Sequence, residues 1–205
     1  MKIQPLHLLL AILVAALLTV IAWYVLLQPQ PLHGEVIEPP HRVSDFTLQS
    51  TQGPVSLSNF NGKVVVLYFG YISCPDVCPI TLATLHQALE SLGSKADEVQ
   101  VLFVSVDWKR DTPEVMGKYV SHFDPGFIGL SGTQQQIDAV TTDLGIFYLL
   151  NLPDSNGFYS VDHTASMRVL DRQGRLAIIW PHDIQPSAMT SDLRVLLKNT
   201  STTAP

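Results

Sequence analysis

One stretch fixes most of what this chain can become: Val64 to Gly70, reading VVVLYFG, runs directly into Tyr71 to Ile80, reading YISCPDVCPI. Its first part is an apolar, β-branched and aromatic run without polar alternation, which suits a central strand covered on both faces. Gly70 marks a turn, and beyond Pro79 the residues Leu82, Leu85, Leu89 and Leu92 recur at helical spacing. With a helix beginning near Cys78, Pro79 takes the first helical position, where its missing N–H costs nothing. The chain's two cysteines, Cys74 and Cys78, therefore fall where a strand gives way to a helix N-terminus. The unpaired N–H groups and partial positive charge at such a terminus favour thiolate over thiol. Reactivity or metal binding is expected there rather than inertness.

The flanking sequence supplies a layered scaffold. Asp45–Gln49 and Val55–Leu57, joined through Gln52-Gly53-Pro54, read as a β-hairpin, and Asn61-Gly62-Lys63 as the turn into the central strand. The cysteine helix is expected to end near Gly93, and Val99 to Val106 reads as a second buried strand. Thr112 as N-cap and Pro113 as first helical residue open a helix with Val115, Met116, Tyr119, Val120 and Phe123 on its apolar face. Phe127–Leu130 is a short strand, and Ser131-Gly132-Thr133 opens a helix that turns Ile137, Val140 and Leu144 inward. Phe147–Leu150, Thr164–Asp171 and Leu176–Trp180 read as antiparallel strands, and a helix over about Pro186–Lys198 closes the domain. The order is strand, helix, strand, helix, strand, helix, hairpin, helix, an α/β arrangement of crossovers followed by an antiparallel pair. The fold class expected is thioredoxin-like: a central mixed sheet flanked by helices, with an N-terminal β-hairpin extension.

Ahead of this domain, Leu8 to Leu27 is interrupted only by Thr19 and the amphipathic Tyr24. As a helix it would cross roughly 30 Å of hydrocarbon. The run is longer than a signal-peptide core and no small-x-small cleavage site follows, so an uncleaved anchor is expected. Lys2 precedes the span, while Glu35, Glu38 and a single Arg42 follow it, which places the N-terminus in the cytoplasm and the domain outside. Trp23 and Tyr24 suit the outer interface. The organisation expected is a cytoplasmic N-terminus at 1–5, a transmembrane signal anchor at 6–27, a Pro-rich tether at 28–44, a thioredoxin-like domain at 45–199 and a polar tail at 200–205. The chain carries 12 Lys and Arg against 18 Asp and Glu, and the basic residues are scattered, which argues against nucleic acid as a partner.

A four-residue spacing lets both sulfurs converge on one side. A structural disulfide across so short a loop removes little chain entropy and stabilises weakly. Dithiol exchange is open, although its usual motif has two residues between the cysteines. Zinc wants four ligands, and no second cysteine pair exists. Copper suits two thiolates and one imidazole. Of the seven histidines, His7 lies in the apolar segment and His33 and His41 in the tether, while His86 sits about 12 Å along the helix and cannot close the site. His122, His163 and His182 remain. His163 lies at the mouth of the late hairpin strand, which in a thioredoxin-like sheet starts facing the cysteine loop. Asp162 beside it is placed to orient the ring or tune its basicity.

Phe69 to Pro79, with Ser105-Val106-Asp107 through Arg110-Asp111-Thr112-Pro113 and Asp162-His163-Thr164, resembles in order the motifs of the Sco/SenC family of membrane-anchored, copper-binding, thioredoxin-like proteins. The resemblance covers about Asp45 to Lys198. It departs at Trp108-Lys109, where a Pro-Glu pair is common, and at Ser73, where a larger residue often stands. It implies that Cys74, Cys78 and His163 bind copper, as Cu⁺ and also Cu²⁺, with Asp162 and Asp76 supporting them. It further implies assembly of the copper A centre of cytochrome c oxidase, so that the partners are the copper A subunit, a copper donor chaperone and a thiol reductase. The domain would stand on the periplasmic side of the inner membrane. The alternative is a thiol-disulfide oxidoreductase using Cys74 and Cys78 to keep the acceptor's cysteines reduced.

Overall fold

The computed structural model describes residues 5–27 and 32–198. These form two compact units, of which the first is the helix α1 (Pro5–Leu27). It has 23 residues, and its described apolar side chains between Leu9 and Tyr24 are exposed. Among the described residues no helix is long and apolar enough to cross a membrane; several side chains of α1 lie outside that set. The expected cytoplasmic N-terminus (apart from its last residue, Pro5, which starts α1), the first part of the tether and the polar tail also lie outside the described residues.

In the second unit six strands form one sheet in the order β1 (Glu35–Arg42), β10 (Arg175–Trp180), β9 (Met167–Leu170), β4 (Val64–Gly70), β5 (Val99–Ser105) and β6 (Ile128–Leu130). β4 and β5 are parallel neighbours in unbroken register, and every residue of both is buried. Both read as continuous apolar runs because both faces are covered. Val64, Val66 and Tyr68 pack under α2 (Val77–Glu90), α3 (Pro113–Ser121) and α5 (Pro186–Lys198). Val65, Leu67 and Phe69 face α4 (Gln134–Asp143) and the hairpin β2 (Thr47–Ser50)–β3 (Gly53–Ser56), from which Leu48 is fully buried. The parallel strand β6 (Ile128–Leu130) extends one side of the sheet, and the antiparallel β9 (Met167–Leu170) and β10 (Arg175–Trp180) extend the other. This is the thioredoxin-like arrangement expected.

Capping follows the sequence. Thr112 accepts from Val115 N ahead of Pro113, and Thr133 and Gln136 form a reciprocal capping box on α4. Two expectations need correction. Residues assigned to the tether form β1 (Glu35–Arg42), an edge strand antiparallel to β10, so the folded domain starts well before Asp45. The segment Phe147–Leu150 does not join the main sheet: β7 (Tyr148–Leu150) pairs with β8 (Val161–His163) as a separate two-stranded sheet.

Candidate metal centre

Cys74 lies in the loop leaving β4, and Cys78 is the second residue of α2. The helix thus starts two residues before the position expected from Pro79, with Asp76 as N-cap and Pro79 third, a position whose N–H also has no intrahelical acceptor. Both cysteines are free, Cys74 half-buried and Cys78 fully buried. The helix terminus reaches Cys74, since Cys78 N donates to its sulfur at 3.5 Å. A side chain at Gly70 would put its Cβ 2.7 Å from Cys78 Sγ, so the strand end has to be bare for the sulfur to seat.

His163 ends β8 and brings Nε2 to 3.6 Å from Cys78 Sγ. The two sulfurs and one ring nitrogen all lie within 4.8 Å of one another. The ring Nδ1 is 3.1 Å from the Thr164 carbonyl, which can only accept. Nδ1 therefore carries the proton in the neutral ring, and the Nε2 lone pair is free to face the sulfurs. Burial lowers the imidazole's proton affinity, against opposing pulls from the Thr164 carbonyl and the Asp162 charge. Tyr71 packs edge-on against the ring with centroids 5.9 Å apart.

The expectation that the helix terminus would favour a thiolate fails at Cys78. Burial pushes its thiol from 9.0 up to about 12, and the Cys74 charge adds to this, outweighing the backbone of Tyr71 and the Tyr68 hydroxyl. Cys78 is on the inward side of α2, where loss of water penalises the charged thiolate. Metal binding must therefore displace a proton from it.

Of the supporting roles expected, Asp162 fills one, raising the ring's basicity through its charge, and Asp76 makes no side-chain hydrogen bond to the site's ligands. Asp162 is exposed, while its neighbours Val161 and His163 point inward, as alternation along a strand requires. Its carboxylate acts on the ring only through its charge, and the Thr164 carbonyl orients it. Asp76 is exposed and its side chain makes no cap hydrogen bond. Asp111 is the residue that sequence reasoning passed over: buried, it accepts from Ile72 N at 3.0 Å and from Ser105 Oγ at 2.7 Å, fixing the loop ahead of Cys74. A carboxylate directly before a helix N-cap is the signal that could have pointed to it. The remaining histidines of the domain are used elsewhere or stand apart. His33 Nδ1 meets Asp192 at 2.9 Å, His86 Nδ1 meets Asp124 at 2.8 Å, and His122 caps α3.

The donor set fits copper. Among the described residues three side chains converge, two soft and one borderline, which suits low-coordinate Cu⁺ and leaves zinc one ligand short.

The pattern of the SCO1/SenC family matches residues 35–198. The chain is 35% identical over 203 residues to an SCO2-like protein of Rickettsia felis, covering 95% of this chain and 99% of the relative. Its fold is similar to that of apo Sco1 from Thermus thermophilus, with a TM-score of 0.77, 42% identity, and coverage of 83% of this chain and 99% of that one. It is also similar to ScoI of Bradyrhizobium japonicum solved with copper bound, with a TM-score of 0.69, 36% identity, and coverage of 75% and 98%.

Proposed function

The chain belongs to the SCO1/SenC family, and from that premise we propose that it is a membrane-anchored copper metallochaperone, holding one copper ion through Cys74, Cys78 and His163 and helping to assemble the copper A centre of cytochrome c oxidase. The observation that carries this reading is the convergence of two free thiols and a correctly protonated imidazole within 4.8 Å. The copper-bound relative from Bradyrhizobium supports it. Copper is cargo here, and delivery needs an exit. Cys74 is only half-buried, so an acceptor thiolate can reach the ion from that side and displace the ligands in turn.

Anchoring is supported by the apolar run Leu8–Leu27, long enough as a helix to cross roughly 30 Å of hydrocarbon. The charges flanking that run put the domain on the periplasmic side of the inner membrane. A copper donor and a thiol reductase complete the partners, because the cysteines must arrive reduced in an oxidising compartment.

The closeness of Cys74 and Cys78 favours a second reading, a thiol-disulfide oxidoreductase acting on the acceptor's cysteines. Anaerobic titration of the reduced full-length chain in detergent with Cu⁺ separates the two. The metallochaperone binds one equivalent, and His163→Ala weakens binding by more than about 100-fold, beyond the usual effect of losing a residue behind a ligand. Binding that is absent, or indifferent to His163, with dithiol exchange intact, leaves the second reading.

A further inference from the structure

The loop between β5 and α3 touches both halves of the metal centre. On one side Asp111 secures the backbone of Ile72, just ahead of Cys74. On the other, Asp107, whose side chain is fully buried, accepts from the Tyr159 hydroxyl at 2.7 Å and pairs with Arg110 Nε. Arg110 lies over the Tyr159 ring, 3.6 Å from its centroid, and donates from Nη1 to the Tyr159 carbonyl at 2.9 Å. Tyr159 is thus gripped at ring face, carbonyl and hydroxyl by two residues of a single loop.

Tyr159 shortly precedes β8 and His163, and the chain ahead of it is a turn bonded mainly to itself, with Asn151 N donating to the Ser160 carbonyl and Asn156 N and Phe158 N to Asp154 Oδ1. Every residue from Leu152 to Phe158 is exposed, Leu152 at 92%. The short β7–β8 pairing holds β8 from the other direction. An exposed turn bonded mainly to itself has low local stability, so the clasp on Tyr159 is what ties this end of β8 to the buried loop. The cysteine loop and the histidine strand are remote in sequence, and the clasp ties both to the same buried carboxylate loop.

We propose that Arg110 is a positioning residue for His163: with Asp107 it clasps Tyr159 and thereby holds the imidazole in ligating range of Cys74 and Cys78, without touching the metal. This rests on the copper reading above. It deepens it by dividing the site into ligands and a loop that registers them.

The test measures Cu⁺ affinity of the reduced full-length chain in detergent, by anaerobic competition with a chelator. Wild type, Arg110→Ala and Tyr159→Phe are each compared with and without His163→Ala. Arg110→Ala is expected to weaken binding about 10-fold or more, in the range seen when a residue supporting a ligand is lost. Tyr159→Phe, which deletes one hydroxyl, is expected to weaken it less. Both effects should disappear in the His163→Ala background, because only that ligand is being positioned. An effect of equal size with and without His163 means general loosening and overturns the proposal, as does unchanged affinity in both variants. If Arg110→Ala does not fold, Tyr159→Phe carries the same comparison. A wild-type chain that binds no Cu⁺ overturns instead the reading beneath it, so the two failures are distinct.

Discussion

At the level of single residues, the site is decided by which side chains lose water. Cys78 is buried and its thiol is pushed up to about 12. The sign follows from linkage: below about pH 9 both folded and unfolded chains keep the proton, and above it the unfolded chain gives it up first. The metal-free, reduced protein should therefore lose stability as pH rises from about 9 toward 12, and Cys78→Ser should flatten that slope in denaturant titrations at a series of pH values. Because the metal competes with that proton, apparent Cu⁺ affinity should rise with pH through neutrality. Half-buried Cys74 should be alkylated before buried Cys78 in a mass-spectrometric time course of the metal-free protein. The two cysteines were fully legible in the sequence. His163 was legible only in part: its place at the mouth of the late hairpin strand favoured it over His122 and His182, and family resemblance carried most of the weight. Asp162 tunes the ring through its charge but does not orient it, because neighbours on a strand point to opposite faces. The clasp on Tyr159 carries no local signal, because Arg110 and Tyr159 meet only through the fold.

Among the elements, the junction of β4 and α2 is the one that function constrains most. Gly70 ends the strand against Cys78 Sγ and the Phe103 ring, with no room for a methyl group. Gly70→Ala should cost about 1–3 kcal/mol by overpacking and weaken copper binding as well, checked by thermal melts alongside Cu⁺ competition. Thr112→Ala removes the cap of α3 and should cost about 1 kcal/mol, while copper affinity changes less than for Gly70→Ala. The caps at Thr112 and Thr133 were read from sequence because capping chemistry is local. β1 was missed for the opposite reason. It is an edge strand with almost every residue exposed, it contains Pro39 and Pro40, and its register shifts between Val36 and His41. Edge strands tolerate proline and carry no alternation of burial, so such a segment looks like a linker.

Across the whole domain, β1 and the residues from Leu32 ahead of it close the far edge of the sheet. Asp192, fully buried, accepts from His33 N and Nδ1, from Gly34 N and from Trp180 Nε1. A fragment beginning at Leu32 should stay in solution and melt cooperatively, whereas one beginning at Val43 should melt lower and aggregate through the bared edge of β10; light scattering during a thermal ramp distinguishes them. The layered order of strands and helices was legible because the central strands are unbroken apolar runs and the helices carry a 3.6-residue pattern. The separate β7–β8 sheet was not, since three-residue strands carry almost none. Copper-edge X-ray absorption on the reduced full-length chain loaded with one equivalent of Cu⁺ tests the account most directly. It should show two sulfur neighbours and one nitrogen neighbour, with the nitrogen lost in His163→Ala. A spectrum with sulfur alone in the wild type, unchanged by that substitution, would contradict it.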